Sequence, residues 1–198
     1  MRLPRPAAMK RPSVILAACA VAAAAAVSVT AGSRSAASAS ATWSSAGTLR
    51  FTDTKSGLVI TCSASTAAMV PANTGANPVG HITSISFTGC AGPAGTVTLT
   101  AKGLSWPVSA RPAARTVGET SGGHGVSVDV SAPGCSADVD GTGGHTDTGV
   151  VHFTFSHESG ALGVVLADGN LHIYGVSGCA GLVSNGDTVS LSVTYHIG

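Results

Sequence analysis

The sequence has few residues of the kinds that usually form charged surfaces and active sites. Charged residues make up 10% and aromatic residues 4% of its 198 residues. Beyond position 41, the lysines and arginines form no run of the kind that binds phosphate groups, which argues against a nucleic acid or an anionic lipid surface as partner. Helical periodicity is almost absent as well, which argues against a helical fold.

Signatures of catalysis are also missing. Serine is abundant, but no Gly-x-Ser-x-Gly elbow is present to expose a nucleophile; residues 175–179 (Gly-Val-Ser-Gly-Cys) differ from it at the last position. Glycosidase chemistry requires a pair of carboxylates, and with Glu119 and Glu158 as the only glutamates no pair can be singled out. We therefore expect a protein that is not an enzyme, with a hydrolase of unrecognised site as an alternative.

Residues 1–41 are predicted to be a signal peptide and a linker of small residues. An apolar run over 14–29 follows four cations, namely Arg2, Arg5, Lys10 and Arg11. The run is shorter than the roughly 20 apolar residues of a transmembrane helix. Small residues permit cleavage after Ala31 or Ala41, and we take 42–198 as the mature chain. We expect a secreted, extracellular protein with no transmembrane segment after processing.

A lipoprotein anchored through Cys19 is the alternative destination. Residues 16–19 (Leu-Ala-Ala-Cys) match the motif that precedes a lipidated cysteine. However, only residues 14–18 are apolar before Cys19, which is short of the roughly 7 to 15 residues expected for the core of a signal peptide. Release of the chain is therefore the favoured prediction.

Removal of the leader changes both the charge and the cysteine count. Five of the ten Lys and Arg residues precede position 42 and all nine Asp and Glu residues follow it, so the mature chain has five cations, nine anions and a net charge of −4. Without Cys19 an even number of cysteines remains, which is typical of an oxidising compartment. They are Cys62, Cys90, Cys135 and Cys179, for which three pairings are possible.

Alternation of apolar and polar residues recurs along the chain and predicts half-buried β-strands. It is clearest over 96–101 and 188–195. Further strands are expected at 49–52, 58–63, 82–88, 126–131, 135–139, 150–156, 162–167 and 171–176. Asp168-Gly169 predicts a tight hairpin turn between the last two of these, and residues 158–160 predict the turn of the preceding hairpin.

Two short motifs occur twice and indicate an internal repeat. Cys-Ser-Ala stands at 62–64 and 135–137, and Gly-Cys-Ala-Gly stands at 89–92 and 178–181. Unit one would span about 48–104 and unit two about 125–197, with an inserted hairpin at 150–167. Units that fold alike would pair Cys62 with Cys90 and Cys135 with Cys179. The prediction is a single all-β domain, a β-sandwich or flattened barrel of about ten strands with two disulfides.

Few residues qualify as ligands of a metal or a small molecule. His152 and His172 would lie roughly 10 Å apart in a meander of strands, whereas zinc needs donor atoms at about 2 Å. The Asp138-x-Asp140 spacing is that of a calcium loop, but the twelfth position is Gly149 instead of the required Glu. We therefore predict no metal and no cofactor.

Two tryptophans could stack on a ligand, although a core position is the commoner one. Trp106, before Pro107, is more simply explained as a core residue, and Trp43 is undecided. The candidate ligand-binding residues are Trp106, His152 and His172.

Four segments carry a resemblance to a protein family. They are 82–90 (Ile-Thr-Ser-Ile-Ser-Phe-Thr-Gly-Cys), 103–107 (Gly-Leu-Ser-Trp-Pro), 133–137 (Pro-Gly-Cys-Ser-Ala) and 169–174 (Gly-Asn-Leu-His-Ile-Tyr), the last leading to Gly178-Cys179. With them the chain resembles uncharacterised secreted proteins of actinobacteria over nearly all of its mature length. The resemblance implies an actinobacterial source and secretion, and it transfers no catalytic residue.

The expected function is that of a secreted, non-catalytic binding or structural protein of the extracellular space or cell envelope. Its partner would be an extracellular protein or a cell-wall component of unknown identity. A secreted inhibitor is an alternative and requires an exposed loop, for which 109–125 is the candidate. A small-ligand carrier is another and requires an apolar cleft between the sheets. A hydrolase requires buried histidines and carboxylates in mutual contact.

Overall fold

The described residues of a computed structural model belong to one compact unit, Ala37–Gly198. They are 40–73, 76–111, 114–117, 125–144, 148–156, 161–165 and 169–197. The predicted signal peptide and Cys19 therefore lie outside the described residues, as do all of 118–124, both glutamates and Asp168.

All regular structure in the described residues is β-strand, which confirms the predicted all-β class. The strands are β1 (Ala41–Ser45), β2 (Leu49–Asp53), β3 (Val59–Pro71), β4 (Gly80–Gly92), β5 (Gly95–Thr96), β6 (Thr98–Lys102), β7 (Trp106–Arg111), β8 (Ala114–Val117), β9 (Ser127–Ala132), β10 (Cys135–Asp140), β11 (Val151–His152), β12 (Thr154–Ser156), β13 (Ala161–Val165), β14 (His172–Ser177) and β15 (Val189–Ile197). Alternation produced the expected strands because successive side chains point to opposite faces: in β2, Leu49 and Phe51 are buried while Arg50 between them is exposed.

The strands form two sheets, which fits the predicted sandwich. The small sheet has the order β14-β10-β9-β6, and the large sheet follows the path β11-β8-β7-β4-β3-β1-β15-β13-β12, with β2 and β5 paired beside it. A single residue, Phe153, joins β11 to β12 at the two ends of this path. The large sheet is therefore curled until its ends approach each other, and β11 lies next to β13.

One hydrophobic core fills the space that the sheets enclose. Its most deeply buried apolar side chains are Leu49, Val108, Val128 and Leu171. Burial of each such side chain stabilises the fold by roughly 1.5–3 kcal/mol. The core also holds both tryptophans, together with Phe51, Phe153 and Tyr195.

Both predicted disulfides are confirmed, Cys62 with Cys90 and Cys135 with Cys179. Each joins neighbouring antiparallel strands, β3 with β4 in the large sheet and β10 with the end of β14 in the small one. The glycine before the second cysteine has a positive φ in both cases, 59° at Gly89 and 71° at Gly178. A Cβ at Gly89 would clash with the Ser63 hydroxyl of β3, and a Cβ at Gly178 would clash with the Gly134 carbonyl in the turn before β10. The repeated Gly-Cys motif therefore has one structural cause at both sites.

The predicted hairpin at Asp168-Gly169 is wrong. β13 pairs with β12 and β15 in the large sheet, whereas β14 pairs with β10 in the small sheet, so the chain changes sheets between them. An Asp-Gly pair favours a turn but does not select the strand with which each neighbour pairs. The preceding hairpin is confirmed, since Ser156 lies opposite Ala161 in an antiparallel pair.

Three further details differ from expectation. The described residues contain fifteen strands rather than about ten, because several pairings involve only two or three residues. The sequence units interleave, with β6 of unit one paired to β9 of unit two and β2 paired to β15. The segment 109–125 is not one long loop, because residues 109–111 and 114–117 belong to the paired strands β7 and β8.

Candidate functional site

An apolar cavity of about 70 Å³ lies between the two sheets. Its floor is formed by buried apolar residues of both sheets, namely Phe51, Val189, Ala137, Val139 and Ile173. Alternation places these side chains on the inner faces of β2, β15, β10 and β14. The cavity can therefore hold an apolar group out of water.

Three connections surround the mouth of this cavity. They are the turn 54–58 after β2, the turn 93–94 between β4 and β5, and the segment 181–183 after Cys179. Leu182 in the last of these is 42% exposed although it lines the cavity. The Cys135–Cys179 disulfide holds that segment against β10, so a covalent bond fixes one side of the mouth.

A carboxylate stands on the inner face of β2 at the edge of the cavity. The Oδ1 atom of Asp53 accepts hydrogen bonds from the backbone N–H groups of Lys55 at 2.8 Å and Ser56 at 3.2 Å. Its Oδ2 atom accepts one from the Ser56 hydroxyl at 2.6 Å. The turn 54–58 thus satisfies a charge that burial would otherwise penalise.

A second buried carboxylate, that of Asp187, does not line the cavity but is joined to the turn 54–58 beside its mouth; Asp53, Lys55 and Asp187 are called the polar rim below. Its Oδ1 atom lies 2.9 Å from Lys55 Nζ, and its Oδ2 atom accepts a hydrogen bond from the Ser184 backbone at 2.7 Å. The hydrogen bond and the charge of Lys55 lower the pKa of Asp187 and outweigh its burial. The same contact raises the pKa of Lys55. This ion pair stays charged at neutral pH and links the turn 54–58 to the segment 184–187.

A second apolar cavity, of about 50 Å³, lies within the curl of the large sheet, and Val126 and Val128, before and on β9 of the small sheet, complete its wall. Trp43, Trp106 and Tyr195 are among its lining residues, and Phe51 lines both cavities. The buried Tyr195 hydroxyl lies 2.8 Å from the Ser65 hydroxyl. Burial raises the pKa of Tyr195 although the Ser65 hydrogen bond opposes this.

Both tryptophans are buried in the core. The indole N–H of Trp106 donates a hydrogen bond to the Lys102 carbonyl at 2.9 Å. The indole N–H of Trp43 is buried and has no partner in the described part of the chain. Neither ring is displayed on the outside of the protein, so stacking on an external ligand would need the core to open.

The two candidate histidines lie on strands of different sheets. His152 is on β11, opposite Thr116 of the large sheet, and His172 is on β14 of the small sheet. The Nδ1–H of His172 donates to the Asn170 carbonyl at 2.8 Å, and Asn170 Oδ1 accepts from the Val150 backbone at 2.6 Å. His172 thus takes part in holding the connection between the sheets.

The outer face of the small sheet carries a group of three charges. Asp129 and Asp138 stand opposite each other on β9 and β10, and Lys102 Nζ lies 2.6 Å from the first carboxylate and 3.5 Å from the second. Like charges directly opposite destabilise a sheet, so Lys102 offsets a repulsion. Partial burial raises the pKa of Asp129, but the contact with Lys102 outweighs it, and the pKa is lowered overall. These three charges therefore stabilise the small sheet.

Within the described ranges, no three His, Cys, Asp or Glu residues are grouped closely enough to hold a metal ion. The same part of the chain contains no helix that could cross a membrane. Comparison with protein-family models, with curated proteins and with solved structures gives no match.

Sequence reasoning missed the cavity and its polar rim, but one signal was present. Every second residue of β2 points inward, and these residues are Leu49, Phe51 and Asp53. The alternation therefore places a carboxylate on the apolar face of the strand. A charged residue at an inward position of a strand has to find partners inside the fold. The inward position of Asp53 could therefore be recognised from the sequence. The ion pair of Lys55 with Asp187, more than 130 residues away, could not.

Proposed function

We propose that the protein is exported and acts outside the cell as a non-catalytic binding protein that takes an apolar group into the cavity between its sheets. This joins the expected binding role to the small-ligand carrier, which required an apolar cleft. Two disulfides suit an oxidising compartment. The resemblance to secreted proteins of actinobacteria supports export from such a cell, where an envelope component or a secreted small molecule would be the partner.

The observation that carries this proposal is the apolar inter-sheet cavity, whose mouth exposes the side chain of Leu182. A void of about 70 Å³ between well-packed sheets forfeits contacts that side chains would otherwise make. Larger residues at Ala137 or Gly92 would fill such a space. A ligand group entering through the rim at Leu182 recovers those contacts and is removed from water, which favours binding.

The geometry favours binding over hydrolysis. Asp53 and Asp187 are the buried carboxylates beside the cavity, and their oxygens accept hydrogen bonds from the turns that carry them. Lys55 neutralises one of them. These groups hold the rim in place, and no histidine of the described residues lines the cavity.

Titration with benzene, followed by NMR chemical shifts of the secreted protein, tests the proposal. We expect shifts in residues lining the inter-sheet cavity, such as Val139 and Ile173. The Ala137→Leu variant places extra carbons in the cavity and should weaken binding at least about tenfold, since it removes the space for a ring. Ala91→Leu is the matched control, because Ala91 is exposed on β4. Unchanged binding by Ala137→Leu, with its fold intact, would contradict the proposal.

A further inference from the structure

We infer that the ligand is a single-chain amphiphile with a neutral or cationic head group, whose chain passes Phe51 from the inter-sheet cavity into the cavity inside the large sheet. This rests on the proposed function and specifies the ligand of the same site. Two properties of the site carry it: the arrangement of the two cavities and the charge at the rim.

The two cavities meet at the side chain of Phe51. It is the one residue that lines both of them among the described residues. Its ring meets Phe87 edge-on, with centroids 6.1 Å apart. Rotation of one aromatic side chain would therefore join the space between the sheets to the space inside the curl.

The volumes indicate an extended ligand rather than a compact one. The cavities measure about 70 Å³ and 50 Å³. An apolar protein cavity of roughly 150 Å³ takes up benzene. A benzene ring in the inter-sheet cavity would therefore be only partly enclosed and would extend into the open mouth, whereas the two cavities together are comparable in size to that enclosed cavity. A flexible alkyl chain can occupy two narrow spaces in series, which a rigid ring system cannot.

The charge at the rim selects the head group. Asp53 is buried and lines the inter-sheet cavity, and Asp187 is buried in the rim, where Lys55 pairs with it. Asp53 lines the cavity whereas Lys55 does not, and the side chain of Lys55 is 71% exposed, so the negative charge of Asp53 lies closer to the cavity than the cation does. An anionic head would meet two carboxylates whose single cation is already paired. A neutral or cationic head avoids that repulsion.

The tryptophans provide a reporter for the position of the chain. The protein has two, Trp43 and Trp106, and both line the second cavity while neither lines the first. Quenching of tryptophan emission by a bromine atom on a ligand requires close approach. Quenching by an ω-bromo alkyl chain, but not by a chain brominated beside the head, therefore shows that the chain end has passed Phe51.

The experiment compares three series of ligands below their micelle concentrations, namely 1-alkanols, alkyltrimethylammonium salts and alkyl carboxylates. We expect affinity to rise about fourfold for each methylene buried and to stop rising once the second cavity is full. At equal chain length, we expect the cation to bind best and the anion worst. The difference between cation and anion should shrink as salt is added.

Two pairs of variants separate the parts of the inference. Phe51→Leu widens the passage and should raise the affinity of long chains about fourfold or more, whereas Phe153→Leu, an equally buried residue that lines neither cavity, should leave it unchanged. Lys55→Gln removes the rim cation and should widen the preference for cations. Lys102→Gln makes the same charge change on the outer face of the small sheet and should not alter the order of the heads.

The possible results distinguish this inference from the function on which it rests. Binding of alkanols without quenching by the ω-bromo chain would overturn the passage through Phe51 and leave the inter-sheet cavity as the binding site. Equal affinity for cationic and anionic heads in the wild-type protein would overturn the head-group assignment. Failure of benzene and of every alkyl series to bind would overturn the proposed function as well.

Discussion

The few charged residues of this protein occupy two kinds of position. Asp53 and Asp187 occupy buried positions beside an apolar cavity, and each is satisfied by the turn that carries it. Asp129 and Asp138 lie on the outer face of the small sheet, where Lys102 bridges them. The inner carboxylates thus hold turns in position, while the outer ones offset one another through a shared cation.

The rim ion pair predicts a dependence of stability on pH. The folded-state pKa of Asp187 is lowered, so its contribution is present above the unfolded value near 3.9 and is lost as the pH falls through the folded value. We expect Asp187→Asn to reduce the free energy of unfolding at pH 7, with the loss shrinking below about pH 4. Urea unfolding at several pH values measures this.

Asp129→Asn is the control for that measurement, because Asp129 is 45% exposed and its ion pair with Lys102 is open to solvent. Exposed pairs contribute little. An equal loss for both variants at pH 7 would mean that burial at the rim adds nothing.

The buried hydroxyl pair of Ser65 and Tyr195 predicts non-additive mutations. Removal of one hydroxyl leaves the other buried without a partner, which costs about 1–3 kcal/mol. We expect Ser65→Ala and Tyr195→Phe each to show this loss, and the double variant to lose less than the two together. Chemical denaturation of the four proteins completes the cycle. Additive losses would show that the two hydroxyls do not stabilise each other.

At the scale of elements, the two disulfides differ in what they hold. A disulfide stabilises the fold by lowering the entropy of the unfolded chain. This stabilisation is about 4 kcal/mol for the loop of 44 residues closed by Cys135–Cys179 and about 3.5 kcal/mol for the loop of 28 closed by Cys62–Cys90. The former also fixes the segment 181–183 at the cavity mouth, and Cys135 itself lines the cavity, whereas neither Cys62 nor Cys90 lines it.

We therefore predict similar losses of stability but unequal losses of binding when the disulfides are removed. The Cys135→Ser/Cys179→Ser variant should weaken benzene binding more than the Cys62→Ser/Cys90→Ser variant. Both are compared at a temperature at which circular dichroism shows each to be folded. Equal affinity in the two variants would show that the disulfide does not shape the mouth.

Strand formation could be predicted from the sequence where alternation was regular, as in β6 and β15. Three strands were missed. β7 contains Pro107, which cannot donate to a neighbouring strand, and β8 follows it after a segment without alternation. β1 lies directly at the expected cleavage site and reads as a linker of small residues. These strands form because β3, β4, β11 and β15 offer long-range partners.

At the scale of the whole molecule, the proposed export predicts the mass of the mature chain. The intact mass of the protein collected after secretion should match a chain that begins at Thr42, less four hydrogen atoms for two disulfides. Reduction and alkylation should then modify four cysteines. A mass that includes Cys19 and acyl chains would instead establish the lipoprotein alternative.

The sequence by itself determined the all-β class and the pairing of the cysteines. Both follow from local patterns: a period of two selects strands, and the repeated Cys-Ser-Ala and Gly-Cys-Ala-Gly motifs align the cysteines two by two. Only the tertiary structure decided which strands share a sheet, and hence where the cavities lie. Their walls combine strands as distant as β2 and β14, and pairing over that distance depends on the summed packing of the core rather than on any local signal.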